Sequence, residues 1–282
     1  MRSLKDLEVG IFFWAEPDPR HTIQTIRRSE VSIGQLGVDS TVDLSPASAA
    51  AWKAALAAED FQIVTVFAAY AGEDYADIPT VQRTVGFIPE ATRAEREVRT
   101  RQAIDFAAAL GVSSFGCHIG YVPEDAADPD YIKVRDMVRR IAGYAATYGI
   151  TFCLETGQEP AALLLRFFDD VNRSNLRINF DPANMILYGS GEPIPAFALL
   201  ARHVASVHAK DGDWPDPARP GSLGVERPLG QGSVNVPKFI AALREHGYHG
   251  TLHIESGVHG EEQRWSYLKS AAGYLRGLIG PT

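Results

Sequence analysis

Eight short apolar or β-rich runs recur along the chain, and helix-like stretches separate most of them. The runs cover residues 8–14, 31–36, 61–69, 113–119, 150–155, 177–181, 204–209 and 251–255. Their apolar residues are continuous rather than alternating, which is typical of parallel strands covered by helices. Eight such units predict an α/β fold closed into a (β/α)₈ TIM barrel rather than an open sheet. At 282 residues the chain has the length of one such barrel, so we expect a single domain over residues 1–282.

The stretches between these runs carry ordinary signals of helix starts and ends. Residues 46–58 are rich in alanine and follow Ser45, a suitable N-cap, with proline in the first turn. Two longer helices are predicted to stop at Gly111 and Gly149. The predicted helices cover residues 46–58, 92–110, 128–148, 160–171, 237–246 and 261–279.

Two connections between predicted strands are longer than loops of compact domains usually are. Residues 70–91 follow the third strand and include Tyr75, and residues 211–236 follow the seventh and are rich in proline and glycine. Both leave the C-terminal end of a strand, where barrel enzymes place their active sites. We therefore expect both to cover a bound ligand, with surface decoration or an oligomer contact as the alternative.

Composition and charge exclude several classes of function. The net charge is −8 and the basic residues are scattered, so nucleic acid is not an expected partner. No apolar stretch approaches membrane-spanning length and the first residues contain no signal-peptide region, so we expect a cytoplasmic protein without membrane contact. Cys117 and Cys153 are too few for a disulfide framework and predict buried, reduced thiols.

Four side chains that can bind a metal stand at or near the ends of the last four predicted strands. They are Glu155, Asp181, His208 and Glu255. Each alone would be weak evidence, because acidic residues often cap helices and strand histidines are often structural. Together they can point to one place at the mouth of a barrel. Three carboxylates and an imidazole favour a hard divalent ion, and we predict Mn²⁺, with Co²⁺, Mg²⁺ or Zn²⁺ as alternatives.

Carboxylates beside a metal suit proton abstraction next to a carbonyl group. Removal of that proton creates an enolate, and a metal bound to the carbonyl and hydroxyl oxygens of the substrate stabilises the negative charge. With a carboxylate on each side of the carbon, the proton can leave from one face and return on the other. Such an arrangement inverts the configuration of the carbon.

Several motifs of the chain are similar to those of one enzyme family. They are Leu154-Glu155, Phe180-Asp181-Pro182-Ala183-Asn184, Val207-His208-Ala209-Lys210-Asp211, Leu229-Gly230-Gln231-Gly232 and His253-Ile254-Glu255. From Glu8 to about Leu278 the chain resembles the xylose isomerase-like TIM-barrel sugar isomerases and epimerases, most closely the D-tagatose 3-epimerase-like branch. The resemblance implies that the four residues above bind a divalent metal. It also implies that Glu155 and Glu255 are the catalytic acid–base pair of a ketose isomerase or epimerase.

Six further residues are candidate contacts for a sugar: Trp14, His118, Gln158, Asn184, Lys210 and Arg227. Trp14 ends the first strand and could form an apolar wall, and Lys210 lies on the same face as His208. Asn184 stands where the ketose epimerases of the family carry a substrate-contacting histidine, which leaves the identity of the sugar open. A structural or solvent-exposed role is the alternative for four of them, His118, Gln158, Lys210 and Arg227.

Three other functions compete with an isomerase or epimerase. A metal-dependent lyase or dehydratase of a keto-inositol or 3-keto-glycoside would use the same site and expel a β-substituent. An apurinic endonuclease needs additional histidines, one of them where this chain has Asn184, and the acidic charge disfavours it. A non-catalytic sugar-binding barrel does not account for two glutamates at the metal. For the isomerase or epimerase and for the lyase we expect a small sugar or sugar derivative as partner, and a homo-oligomer is left open.

Overall fold

The computed structural model describes residues 7–257 and 261–280, and eight of its strands form a closed parallel barrel. The strands of this part of the chain are β1 (Glu8–Trp14), β2 (Ile33–Val38), β3 (Gln62–Ala68), β4 (Ser114–Cys117), β5 (Thr151–Glu155), β6 (Leu176–Phe180), β7 (Val204–Ala209), β8 (Asp211–Asp213), β9 (Val225–Arg227) and β10 (Thr251–Ile254). The order around the barrel is β1-β10-β7-β6-β5-β4-β3-β2. The predicted (β/α)₈ barrel is therefore confirmed.

Helices follow most barrel strands and cover the outside of the barrel. They are α1 (Pro19–Arg27), α2 (Pro46–Ala58), α3 (Ile78–Thr84), α4 (Glu90–Leu110), α5 (Pro129–Ala146), α6 (Ala161–Val171), α7 (Pro182–Leu187), α8 (Pro193–Leu200), α9 (Val236–Glu245) and α10 (Glu261–Ile279). Six of these match predicted helices to within two residues at each end, and α1, α3, α7 and α8 were not predicted. Gly111, at the end of α4, has a φ of 79°, the left-handed conformation that glycine adopts without strain.

The second strand begins two residues later than predicted, at Ile33 rather than at residue 31. Its Gly37 pairs with Trp14 of β1. A Cβ at Gly37 would lie 2.5 Å from Cε3 of Trp14, so the indole ring packs here only because the residue is glycine. Glycine is uncommon inside strands, which obscured the C-terminal end of β2, observed at Val38 rather than at residue 36. The shift places Gln35 in the middle of the strand.

Hydrogen bonds of two charged side chains order the long connection between β3 and β4. Glu73 accepts hydrogen bonds from the backbone N–H groups of Tyr70 and Gly86, at 3.0 and 2.9 Å. The buried guanidinium of Arg96 donates to the carbonyl oxygens of Gly86 and Ala71, at 2.5 and 3.0 Å. These contacts close the connection into a compact structure that contains α3.

Asp211 organises the other long connection, between β7 and α9. Its side chain is 1 % exposed and lies at the start of a small antiparallel sheet of β8 and β9. Oδ2 accepts the N–H groups of Gly230 and Gly232, both at 3.0 Å. Oδ1 accepts those of Gly212 and Val234, at 2.9 and 3.1 Å. The Leu-Gly-Gln-Gly motif of the sequence is therefore a loop folded around one buried carboxylate.

Two further sequence predictions concern the cysteines and membrane spans. Cys117 and Cys153 are both buried and unpaired, as predicted. Among the helices of the described ranges, none combines the length and the apolar character needed to cross a membrane.

Candidate metal centre

The four predicted metal ligands come together where the last barrel strands end. Glu155 is the final residue of β5, Asp181 follows β6, His208 lies near the end of β7, and Glu255 follows β10. These four strands are consecutive neighbours around the barrel. One ligand atom of each side chain lies within 4.8 Å of those of the other three. The strand order places the two glutamates at the flanks of the set and the other two ligands between them.

His208 Nδ1 lies at the centre of the cluster. It is 2.7 Å from Glu155 Oε1 and 3.1 Å from Glu255 Oε2, and Asp181 Oδ2 is 3.6 Å away. Among the described residues, neither this Nδ1 nor Asp181 Oδ2 has a hydrogen-bond partner in suitable geometry. Buried polar atoms without partners are costly, and a cation among them would remove that cost. Three carboxylates and an imidazole converging on one point therefore fit a divalent metal ion.

Asp181 and Glu155 each use one carboxylate oxygen for a contact outside the cluster, and the second oxygen of each points into the cluster. Asp181 is the N-cap of α7, and its Oδ1 accepts the N–H of Asn184 at 2.9 Å. Glu155 Oε2 lies 2.8 Å from His118 Nε2. The second oxygen of each is free to face the centre. Such outer contacts orient ligands and are a general feature of protein metal sites.

The pKa values in the cluster reflect the close pairing of its carboxylates with basic side chains. Burial acts to raise the pKa of Glu155, but His118 and His208 outweigh it and hold the pKa at about 2. Burial likewise opposes ionisation of Glu255, yet Lys210 and His208 hold its pKa well below the usual range. Conversely, the carboxylates overcome desolvation and raise the pKa of His208 well above its ordinary value. The cluster therefore stabilises positive charge at its centre.

Lys210 and Asn184 connect the two glutamates. Lys210 Nζ donates to Glu255 Oε2 and to Asn184 Oδ1, both at 3.2 Å. Asn184 Nδ2 in turn lies 3.4 Å from Glu155 Oε1. The side chain of Lys210 is 11 % exposed and lines the pocket described next. This link keeps an ammonium group beside one glutamate and an amide beside the other.

A pocket of about 370 Å³ adjoins the cluster. Its polar lining comes from Glu155, His208, Glu255, His118, Asn184 and Lys210. Aromatic rings form much of the remaining wall, from Phe12, Trp14, Phe67, Tyr75 and Tyr188. Both long connections contribute, the first through Tyr75 and the second through Leu223, Gly224 and Glu226. Polar groups at one end and aromatic faces along the wall suit a small polyhydroxylated ligand.

The six predicted substrate contacts separate into two groups. Trp14, His118, Asn184 and Lys210 line the pocket. Gln158 and Arg227 lie outside this lining. Gln158 is buried behind His118, with its Nε2 3.3 Å from His118 Nδ1, and the exposed Arg227 donates to Asp213 Oδ2 at 2.6 Å.

Gln35 is a residue of the site that the sequence did not reveal. Its Oε1 lies 2.7 Å from His208 Nε2, on the side of the imidazole away from the carboxylates. It occupies the middle of a strand and is wholly buried, and its partner is 173 residues away in the chain. A polar residue inside an otherwise apolar run was the only signal available.

Comparisons with known proteins identify the family of this barrel and structures with the same fold. A model of the xylose isomerase-like TIM barrel family matches residues 30–277. The solved structure of a xylose isomerase domain protein from Planctomyces limnophilus is 39% identical, with a TM-score of 0.92 over 97% of each chain. A D-psicose 3-epimerase from Clostridium cellulolyticum H10, solved with D-tagatose, is 16% identical, with a TM-score of 0.72 over 98% of this chain and 100% of that one, a likeness of fold alone.

A curated protein also matches part of the chain. An L-ribulose 3-epimerase from Methylomonas sp. (strain DH-1) is 28% identical over 175 residues, which are 55% of this chain and 54% of that protein. The chain therefore spans about half the length of the curated relative that it matches.

Proposed function

The chain belongs to the xylose isomerase-like TIM barrel family, and we propose that it is a divalent-metal-dependent isomerase or epimerase of a ketose-type sugar. The observation that carries this proposal is the convergence of Glu155, Asp181, His208 and Glu255 within 4.8 Å, next to a pocket with aromatic walls. The match to an L-ribulose 3-epimerase supports the same class of reaction.

In this proposal the four clustered side chains hold the metal ion. When bound, the ion supplies Lewis-acid stabilisation of the negative charge that develops on the substrate oxygens. Mn²⁺ remains our choice for this donor set, because oxygen-rich shells with one imidazole suit such hard divalent ions. The protein contributes the orientation of each ligand and a wall that limits the access of water.

Glu155 and Glu255 are the proposed acid–base pair. They come from the two outer strands of the ligand set, β5 and β10, and both line the pocket. A sugar placed over the two inner ligands therefore has one carboxylate on each side of its reacting carbon. One glutamate, as a carboxylate, removes the proton from that carbon, and the other, which must first take up a proton from solvent, returns that proton to the opposite face.

The neighbours of the two glutamates differ, and this difference suggests how substrate oxygens are bound. Lys210 stabilises Glu255 as a carboxylate and has a pocket-facing ammonium that can donate to a substrate oxygen. His118 contacts Glu155 and also lines the pocket. Trp14, 41 % exposed, offers an aromatic face to the apolar side of a sugar ring.

The test is turnover in D₂O. Ketoses, keto-inositols and 3-keto-glycosides are incubated with the Mn²⁺-loaded protein and followed by NMR. We expect deuterium at the carbon next to the carbonyl, together with an epimer or isomer. Glu155→Gln and Glu255→Gln should each lower turnover by about 10²–10⁴-fold, the usual contribution of a general acid or base.

Glu159→Gln is the matched control for these variants. Glu159 is 4 % exposed, the same as Glu155, and lies four residues further along the chain, but outside the pocket lining. Its substitution should leave the rate of deuterium exchange nearly unchanged. If both catalytic-site variants kept near-normal turnover, Glu155 and Glu255 would be ligands only and the proposed proton transfer would be wrong.

A lyase or dehydratase acting on a keto-inositol or 3-keto-glycoside is the second candidate. The observation that favours it is the ammonium of Lys210 at the pocket wall, 3.2 Å from Glu255, since an ammonium can stabilise the negative charge of a leaving oxygen. The same NMR experiment separates the two reactions. Deuterium exchange accompanied by loss of a hydroxyl or glycosyl group would identify the lyase, and exchange with retention of every substituent would identify the isomerase or epimerase.

A further inference from the structure

A buried polar layer lies beneath the metal centre, inside a barrel whose strands are otherwise largely apolar. Its members are Gln35, Asn179, Ser206 and His253, each 5 % exposed or less. They come from four strands, β2, β6, β7 and β10. Buried polar groups are expensive unless they are paired, so a layer of four at this depth calls for a physical explanation.

Gln35 is the member that joins this layer to a metal ligand. Its Nε2 donates to Ser206 Oγ at 2.6 Å and to Asn179 Oδ1 at 3.1 Å. Both amide hydrogens are thereby used. The remaining polar atom, Oε1, lies 2.7 Å from Nε2 of His208 and can only accept a hydrogen bond. The Nε2 of His208 must therefore carry a proton.

The position of that proton decides what the other nitrogen of His208 can do. A neutral imidazole has one protonated and one unprotonated nitrogen. With one proton fixed on Nε2, the neutral imidazole that can bind a metal has its lone pair on Nδ1, the atom that faces Glu155 and Glu255 at 2.7 and 3.1 Å. We propose that Gln35 is a positioning residue, which fixes His208 in the one tautomer and ring orientation that can bind the metal through Nδ1.

The reversed amide of Gln35 would have the opposite effect. Its NH₂ group would then donate to Nε2 of His208 and move the imidazole proton to Nδ1, where it would block metal binding. In the structure, Asn179 Oδ1 and Ser206 Oγ both accept from the amide in its observed orientation. Asn179 does so although its own Nδ2 has no partner in the described part of the chain. An unsatisfied buried donor costs about 1–3 kcal/mol, a cost in stability that a role in metal binding explains.

This inference rests on the proposed metal centre, and its test uses two variants of nearly the same size. Gln35→Glu keeps an oxygen acceptor for His208, and the unpartnered Asn179 Nδ2 can turn to donate to the new carboxylate. Gln35→Met fills the same space without any acceptor. Comparison of the two variants therefore separates the effect of the hydrogen bond on metal affinity from the effect of side-chain packing.

Two measurements are made on wild type and both variants. Mn²⁺ affinity of the metal-stripped proteins is measured by calorimetry, and the proton on Nε2 of His208 is followed by ¹⁵N-imidazole NMR, with Mg²⁺ as a diamagnetic probe. We expect wild type and Gln35→Glu to show the Nε2 proton and similar affinities. Gln35→Met should bind Mn²⁺ about 10–100-fold more weakly, as for other outer partners of metal ligands.

Each contrary outcome has a distinct meaning. Wild-type affinity in Gln35→Met, or equal losses in both variants, would overturn the inference and leave the metal centre intact. A proton on Nδ1 rather than Nε2 in the Mg²⁺-loaded wild type would overturn it without recourse to any variant. If the wild type bound no Mn²⁺, the metal centre itself would be refuted, and the inference with it.

Discussion

Asp211→Asn tests whether one buried carboxylate holds the long connection between β7 and α9. Four backbone N–H groups donate to Asp211, two to each oxygen, at 2.9–3.1 Å. Asparagine has nearly the same shape but only one oxygen. Whichever way its amide is turned, an NH₂ group faces two N–H donors.

The expected cost follows from this count of donors. Hydrogen bonds to a charged group contribute about 1.5–3 kcal/mol each, and a buried donor left unpaired costs about 1–3 kcal/mol. Local relaxation recovers part of this loss, so we expect the free energy of unfolding to fall by about 2–4 kcal/mol. With an unfolding entropy of about 2.1 cal/mol/K per residue and 282 residues, the Tm should fall by about 3–7 °C.

Asp213→Asn is the matched control, two residues away in the same small sheet. Asp213 is 39 % exposed, and its Oδ2 accepts from Arg227 Nε at 2.6 Å. Exposed ion pairs contribute about 0–1 kcal/mol, so the Tm should change by less than about 2 °C. Thermal and urea unfolding followed by circular dichroism measure both variants. Equal shifts for the two substitutions would refute the assignment of Asp211 as the anchor.

Three further predictions address the site and its surroundings. Asp181→Asn should weaken Mn²⁺ binding measured by calorimetry, because it removes a charge from the ligand set. Trp14→Ala should raise KM more than it lowers kcat, since the ring offers only an apolar wall; an effect confined to kcat would contradict this. Burial raises the pKa of Glu159 to about 7, above its value of about 4.3 in an unfolded chain. Wild-type stability should therefore fall between about pH 4.3 and 7 by on the order of 1–3 kcal/mol, and urea unfolding of Glu159→Gln should lack this fall.

The barrel and the four ligands could be predicted because each rests on a local pattern. A strand that ends in a ligand residue, followed by a helix, is readable over about ten positions, and barrel closure then brings distant strand ends together. The ends of β1 and β7 were predicted at the observed residues. The end of β2 at Val38 was not, because the close approach of Trp14 to Gly37 cannot be seen in the sequence.

The surroundings of the ligands depend on contacts between residues far apart in sequence. Arg227 was a predicted sugar contact, but the antiparallel pairing of β8 and β9 places it opposite Asp211 and beside Asp213. Gln35 carried no recognisable motif, since its role arises only when β2 and β7 face each other across the barrel. The position of Arg227 and the role of Gln35 both depend on which distant strands come together, and local sequence patterns do not reveal this.

Anomalous diffraction from crystals equilibrated with Mn²⁺ tests the central claim most directly. One peak is predicted, within bonding distance of oxygen atoms from Glu155, Asp181 and Glu255 and of Nδ1 of His208. Data collected after chelation from the same crystals should lack the peak. Absence of a peak at the cluster, or a peak bound by other residues, would contradict the proposed metal centre.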